Sequence, residues 1–574
     1  MRRKREGDDD EQAYTDWPHE PWLIRPGFTS GKTRTPSVHE VLTPGREARA
    51  GTFRTASYRL KASDANRTRL HALISRLDSR PSPSGNSRAR SDPSAFAAWL
   101  TDKATHGLGR RFPDDSASQT VSRGQRLFLV TLASLLLVWI AAVPLLTLQV
   151  VAGVATLFFA LVVMLRVVAC VNIMALMPLQ LLRQPEPLIA DQDLPVYTVL
   201  VPLYQEASVV SGLVQALMRL DYPADKLDIK IILESVDRET INKVRSLRLQ
   251  HPFEIIVVPD SQPRTKPKAL NFALQLARGE YVVVYDAEDR PSPDQLRKAL
   301  AAFARGPANL ACLQARLTIY NGAENWISKQ SALEYGALFR GLLPTFQALG
   351  LPIPLGGTSN HFRISALRWL GGWDAFNVTE DADLGMRLYK HGYICHVLDS
   401  ETGEEAPCSL KAWIPQRTRW LKGWMQTWLV HARRPFRLWR RLGTGRFLSF
   451  HVITAGTIVS ALAHPVFWLL LALELTDDRP FGAPGSLIEL HVWLLALFNV
   501  AMGLIASMVL SLIALRQTRG RFALHILLMP AYWLLVSAAA YRALLHLAIR
   551  PFHWEKTEHG VTRMEPPMRE RHIS

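Results

Sequence analysis

Tyr281-Val282-Val283-Val284-Tyr285-Asp286-Ala287-Glu288-Asp289 decides the fold: an uninterrupted apolar run ends on a cluster of carboxylates. A short run rich in Val and Tyr reads as a strand buried on both faces, the kind found in parallel sheets. Three similar runs precede it, at 196–201, 229–233 and 254–258, with helical patterns at 207–220, 238–250 and 267–278 between them. Strands alternating with helices predict a parallel sheet covered on both faces. Ligands of such sheets bind beyond the carboxyl ends of the strands, which directs attention to Glu234–Asp237 and Asp286–Asp289.

Outward from this block the chain becomes membrane-like. Residues 127–171 hold no acidic side chain and one basic one, Arg166. That length suits two crossings at ~20 apolar residues each, a helical hairpin with Pro144 and Gln149 near its turn. Further apolar runs follow at 448–473, 490–515 and 522–549. The last is flanked by Arg, carries Arg542 and is broken by Pro530, so an interfacial or re-entrant course competes with spanning. Four spans and one ambiguous run are expected. The net charge of +17 over 574 residues fits the Lys/Arg excess of membrane proteins, and no nucleic-acid partner is expected. Arg110, Arg111, Arg123 and Arg126 precede the first run, whereas Glu474, Asp477, Asp478, Arg479 and Glu489 make the connection at 474–489 net negative. The positive-inside rule therefore puts residues 172–447 in the cytoplasm. No cleavable signal peptide is expected, because the first apolar run begins more than a hundred residues in. Cys170, Cys312, Cys395 and Cys408 show no metal spacing.

Three short motifs carry candidate chemistry. Asp286, Glu288 and Asp289 after a buried strand repel one another unless a cation intervenes. Mg²⁺ or Mn²⁺ bridging to phosphate suits such oxygens, and a helix cap is the plainer alternative. Thr379-Glu380-Asp381, followed by Asp383, suits either a helix N-terminus or a general base that deprotonates a sugar hydroxyl. Gln416-Arg417-Thr418-Arg419-Trp420 opens a segment with aromatics at helical intervals, Trp420, Trp424 and Trp428. It reads as an amphipathic helix at the membrane surface, with Arg419 suited to a departing diphosphate and Trp420 to a pyranose face.

Acidic residues after a strand, a D-x-D-like element, TED and QxxRW, framed by apolar helices, resemble the cellulose-synthase-like, processive branch of family 2 glycosyltransferases over roughly residues 127–560. The resemblance implies a GT-A-type, Rossmann-like α/β cytoplasmic domain inserted between transmembrane helices, and a metal-dependent hexosyltransferase that inverts the anomeric carbon of a UDP-sugar. On that pattern Asp381, beside Glu380, is the base and Asp286 binds metal, with Glu288 and Asp289 both open as its partner. Lys268 of KALN, Gln416 and Arg419 serve the donor, and either Glu234 or Asp237 meets the uridine. Trp420 and the Gly356–Phe362 loop, with Gly357, Thr358, Asn360 and His361, face the acceptor. Phe552–Gly560 resembles the family's gating loop, and Asn325–Ala348 its interfacial helix, with Trp326, Leu333, Leu338 and Phe339 on the apolar side.

The implied organisation is a polar, largely disordered region at 1–121, a hairpin at 122–175 and the GT-A domain at 176–412. An interfacial QxxRW region at 413–447, helices at 448–549 and a cytoplasmic tail at 550–574 complete it. The implied function is synthesis and secretion of a bacterial β-linked polysaccharide at the inner membrane, through a growing glycan acceptor, membrane lipid and accessory secretion subunits. A non-processive transferase acting on a lipid acceptor is the alternative.

Overall fold

The computed structural model describes residues 93–181, 189–476, 487–518, 523–556, 560 and 562. Expectations for 1–92, for most of the acidic connection at 477–486, for Arg519 and Arg521, for 557–559 and for the tail from 563 lie outside the described residues.

Helices α1 (Pro93–Arg111), α2 (Arg123–Ala142) and α3 (Pro144–Leu181) lead into strand β1 (Tyr197–Leu203). Then come α4 (Val210–Met218), β2 (Leu227–Glu234), α5 (Arg238–Ser246), β3 (Phe253–Val258), α6 (Lys266–Leu274) and β4 (Tyr281–Val284). The second half holds β5 (Arg290–Pro291), α7 (Gln295–Arg305), β6 (Leu310–Ile319), α8 (Trp326–Ala337), α9 (Leu343–Ala348), β7 (Asn360–Arg363), α10 (Ile364–Trp369), α11 (Glu380–Lys390) and β8 (Ile394–Glu404). Helices α12 (Leu410–His431), α13 (Pro435–Leu442), α14 (Thr444–Leu475), α15 (Leu487–Thr518) and α16 (Met529–Ile549) follow.

The strands form one sheet in the order β3-β2-β1-β4-β7-β6-β8-β5. Its first half is parallel, as the four apolar runs predict: β1 pairs with β2 and β4, and β2 with β3. The second half departs from that expectation. β7 enters antiparallel between β4 and β6, and β5 antiparallel to β8. Alternate residues of each strand feed opposite faces. Leu200, Ile232, Val282 and Val284 pack with α6 and α11 on one side. Val199, Val201, Ile231 and Val283 pack with α4, α5 and α7 on the other. The chain crosses from β3 back past β1 to reach β4, so the switch point lies between β1 and β4, where a ligand crevice is expected.

The segment 93–121 is not loose, in contrast to the expectation for 1–121. Leu100 and Ala104 of α1 enter the sheet core, and Asn271 donates to Ala104 O at 3.0 Å. Asp115 takes both Lys390 and, at 3.3 Å, His391. Asp374 accepts from Ser116 Oγ and Ala117 N, and Arg433 donates to four backbone carbonyls between Pro113 and Gln119. The apolar periodicity of α1 is short and diluted by charge, which hides a helix anchored by one stripe.

Five described helical runs are long and apolar enough to cross a membrane: Arg123–Ala142, Gln149–Ala175, Thr444–Leu469, Trp493–Leu512 and Leu524–Ile549. The hairpin turns at Val143-Pro144, and Gln149 lies inside α3. The last run lies against the sheet domain at both ends. Near its start, Gln330 donates to His525 O at 2.7 Å and Tyr532 to Glu334 at 2.9 Å. At its far end, Lys422 and Gln426 of α12 donate to Arg550 O and Pro551 O.

The single amphipathic helix expected over Asn325–Ala348 is broken by a π-helical turn at Leu338–Leu342. Its apolar residues accordingly serve different neighbours: Leu333 meets Ile526 and Met508, whereas Phe339 enters the sheet core.

Candidate active site

Strand β4 delivers Asp286 to the switch point, and the turn after it is braced from beneath. Asp289 Oδ2 accepts from Asp286 N at 2.7 Å and from the Thr358 hydroxyl. Burial, then the charges of Asp286, Glu404 and Glu288, hold the Asp289 carboxyl well above the usual range. Its Oδ1 is buried without a hydrogen-bond partner. Of the three acidic residues expected at a metal, Asp286 and Glu288 line the cavity above the sheet, and Asp289 stands behind the wall.

Lys266, which the sequence reading missed, is the lysine beside Asp286 in this cavity. Its Nζ is 2.5 Å from Asp286 Oδ1 and donates to Gly357 O at 2.7 Å. Burial opposes its charge, but Asp286, Glu380 and Asp381 together raise its pKa above the ordinary lysine value. Lys268, one helical position pair further on, is fully buried and is held by Ser261 O at 3.0 Å and Glu234 at 3.4 Å. The only sequence signal for Lys266 is its place at the first turn of α6, where a side chain leaves toward the crevice.

Between the two acidic candidates after β2, Glu234 lines the cavity. Asp237 instead caps α5, accepting from Thr240 N at 3.2 Å and from Gln205 N. Gly356 and Gly357 line the cavity as well. A Cβ on Gly357 would lie 3.4 Å from Asp381 Oδ2, 3.8 Å from Lys266 Nζ and 3.9 Å from Asp286 Oδ2. This glycine therefore marks where three charged groups converge. Thr358, Asn360 and His361 run behind it into β7. His361, expected at the acceptor, is fully buried between Tyr197 OH at 2.7 Å and Gln295 Oε1 at 3.1 Å, and burial pushes its pKa down to about 3.

Helix α11 opens on Glu380 and Asp381, both on the cavity wall. Burial, then the charge of Asp381, pushes Glu380 up to about 8. Burial also raises Asp381, against the pull of its bond from Ala382 N and of Lys266 and Arg419. Helix α12 supplies Gln416, Arg419, Trp420 and Trp424 to the same cavity. Burial lowers the pKa of Arg419, whose Nε has no hydrogen-bond partner and whose guanidinium stacks 4.5 Å above Trp554. Arg417 also lines the cavity, beneath Trp420 at 4.5 Å, where it is bonded to Glu334 at 2.7 Å and Tyr532 at 2.9 Å.

A close approach sets α11 against α12. A Cβ on Gly423 would fall 2.3–2.7 Å from the Thr379 side chain, so TED meets α12, three residues past QRTRW, at a position that glycine suits.

The cavity measures about 920 Å³ and continues past Trp424 to Thr457 of α14 and Val536 of α16. Phe552, His553, Trp554 and Lys556 close one side of it. This tail is pinned by Lys422 on His553 O at 2.7 Å, by Arg542 on Glu555, and by Lys556 on Glu206 at 3.0 Å. Glu405 accepts from Gly560 N at 2.6 Å and Thr562 N at 2.8 Å.

Among the described residues no three Asp, Glu, His or Cys side chains converge as a ready metal cage. Mg²⁺ and Mn²⁺ keep waters and take phosphate oxygens, so one or two protein carboxylates are enough. Asp286, whose Oδ1 already holds a cation in the Lys266 ammonium, and Glu288 fit that requirement.

The mixed sheet with helices on both faces is GT-A-like, and residues 281–545 match the model of glycosyl transferase family group 2. A cellulose synthase 2 of Novacetimonas hansenii is 29% identical over 323 residues, 52% of this chain and 19% of that protein. A beta-monoglucosyldiacylglycerol synthase of Synechocystis is 30% identical over 243 residues, 42% of this chain and 50% of that protein. The chain spans about half the length, or less, of the curated relatives it matches. A mannosyltransferase from Pyrobaculum calidifontis, solved with GDP-Man and Mn²⁺, superposes with a TM-score of 0.42 at 19% identity, covering 68% of this chain and 99% of that one. With five described runs long and apolar enough to cross a membrane around its sheet domain, the chain carries over residues 281–545 a domain that matches family 2 glycosyltransferases and is cellulose-synthase-like.

Proposed function

We propose that the protein is an inverting glycosyltransferase of the inner membrane that transfers hexose from a UDP-sugar onto a growing β-linked glycan. One observation carries this reading: a single cavity runs from the carboxylates of Asp286 and Asp381 past Arg419 to Trp420, Trp424 and the apolar helices α14 and α16. Aromatic faces suit pyranose rings, and a route from charged site to membrane helices suits a product that leaves through them. Because α16 meets the sheet domain at both ends, its tail stays on the cytoplasmic side with the donor.

In the proposed reaction, Asp381 takes the proton of the acceptor hydroxyl and its oxygen bonds to the anomeric carbon. The bond from that carbon to the diphosphate breaks, and UDP leaves with the electron pair. Lys266 and Arg419 offset the charge that collects on the diphosphate, in a site where burial strengthens each interaction. A divalent ion held by Asp286 and Glu288 would supply further positive charge to the leaving group. Glu234 faces the nucleoside, and the tail from Phe552 to Lys556 acts as a gate over the donor, Trp554 keeping Arg419 aimed inward.

Purified protein given labelled UDP-sugars with Mg²⁺ or Mn²⁺ tests the reading. High-mass polymer supports it. A glycolipid carrying one sugar supports the second reading, a lipid-acceptor transferase, which the glycolipid-synthase relative favours. No transfer from any donor overturns both.

A further inference from the structure

Helix α1 lies outside the residues that the family match covers, yet it reaches the cavity. Leu100, Ala104 and Leu108 bury one stripe of the helix. The flank beside that stripe carries Asp102, His106 and Arg110 at successive turns, and His106 lines the cavity. Asp102 takes Arg110 at 2.5 Å and His106 Nδ1 at 3.2 Å. The same cavity is lined by the Gln262–Thr265 loop leading into Lys266 and by two phenylalanine rings. Phe376 lies 6.1 Å from the imidazole, and Phe552 of the tail packs 5.5 Å from Phe376.

We infer that His106 completes the nucleotide pocket from the N-terminal side, its Nε2 accepting a hydrogen bond from an O–H or N–H group of the donor's nucleoside. The inference rests on the donor reading given above. Two features favour the nucleoside over the diphosphate. In its neutral form, an imidazole that donates its Nδ1 proton to Asp102 presents a lone pair at Nε2, which repels an anionic oxygen and suits a hydroxyl or imide N–H. Lys266 and Arg419, the cations suited to phosphate, are supplied by α6 and α12, whereas Glu234 is a second hydrogen-bond acceptor on the same cavity wall. The turn that follows the helix carrying His106 is tied to the C-terminal end of α11 through Asp115 with Lys390 and His391.

The test uses full-length protein in nanodiscs, with affinities for UDP and for inorganic pyrophosphate measured by calorimetry in Mg²⁺. His106→Ala should weaken UDP by about 3- to 10-fold, the worth of one neutral hydrogen bond, and leave pyrophosphate unchanged. The KM for UDP-sugar should rise by the same factor at constant kcat. His106→Gln, whose Oε1 can stand where Nε2 does, should recover most of the loss. Unchanged UDP affinity in His106→Ala overturns the inference, as does an equal loss for pyrophosphate. A fall in kcat at constant KM also overturns it, since that is the mark of a purely structural role. If His106→Ala does not fold, His106→Gln with wild-type thermal stability and tenfold weaker UDP binding overturns it too. Wild-type protein that binds neither ligand overturns the donor reading itself, an outcome distinct from the rest.

Discussion

Asp381 and Asp383 stand two residues apart on α11 and meet opposite fates. Asp381, with Glu380 before it, faces the cavity, where burial raises both and only part of their charge is answered. Asp383 points inward, fully buried, with Arg387 at 2.7 Å and His431 at 3.0 Å. Burial raises its cost as well, but the Arg387 and His431 interactions outweigh it and hold its carboxyl below the usual range. Arg387 is itself saturated by Leu370 O and Gly372 O. About half a turn of helix thus separates charge that is spent within the fold from charge that is kept for a ligand. A buried ion set bonded from several sides fixes a geometry, although His431 Nδ1 is left without a partner. Carboxylates left short of partners are poised for proton transfer.

Substitutions on the two sides should separate cleanly. Asp381→Asn should lower transfer by about 10²–10⁴-fold, the range of a lost general base, with UDP binding and thermal stability retained. A wild-type rate would remove Asp381 from the mechanism. Arg387→Met should do the reverse, costing about 3–5 kcal/mol of stability, as when one partner leaves a buried pair. Equal thermal midpoints for variant and wild type would contradict the saturated reading of Asp383.

Gly423→Ala should affect both sides at once, because its methyl group would lie 2.3–2.7 Å from the Thr379 side chain. Displacing α12 from α11 should cost up to about 10²-fold in kcat, the scale of an ångström-sized misplacement, together with about 1–3 kcal/mol of stability from overpacking. The pH profile offers a finer distinction. A base must be ionised to act and Asp381 is raised, so kcat/KM should climb with pH through a midpoint above ~3.9, the ordinary aspartate value. Asp383 is lowered, so its contribution to stability is present above that value and fades only as pH falls through its depressed pKa. An activity limb at or below ~3.9 would sink the assignment of Asp381 as base. The smallest effect is expected from Gly357→Ala. Its methyl group clears its neighbours at 3.4 Å or more, so the fold should persist while the KM for donor rises severalfold.

The parallel half of the sheet was legible because β1, β2 and β4 are buried nearly along their length and read as largely apolar runs, β2 despite Asp228 and Lys230. The antiparallel insertion was not. β7 spans only Asn360–Arg363 and includes no continuous apolar stretch. The motif carboxylates Asp286 and Asp381 reach one cavity, as their order in the chain suggested. The roles of neighbouring residues could not be read from spacing, since Lys266 and Lys268, or Glu234 and Asp237, differ in direction and not in chemistry. His361 sits in a polar-looking motif yet its ring is consumed by Tyr197 and Gln295 from elements far away in sequence. Helix α1 was missed for the same reason: what orders it is the sheet core and Asn271 of α6.

That distance has a consequence for how the protein assembles. The Asp115–Lys390 contact closes a loop of 275 residues, and both hairpin helices α2 and α3 lie inside that loop. Contacts so remote in sequence form late, because the chain must first give up the entropy of closure. Synthesis therefore produces α1 long before the surface it binds. The helix must wait, tethered beside an inserted hairpin, until α11 and α12 emerge. Its docking is thus a natural last step of folding, in which the earliest-made helix of the domain returns to close the sheet core.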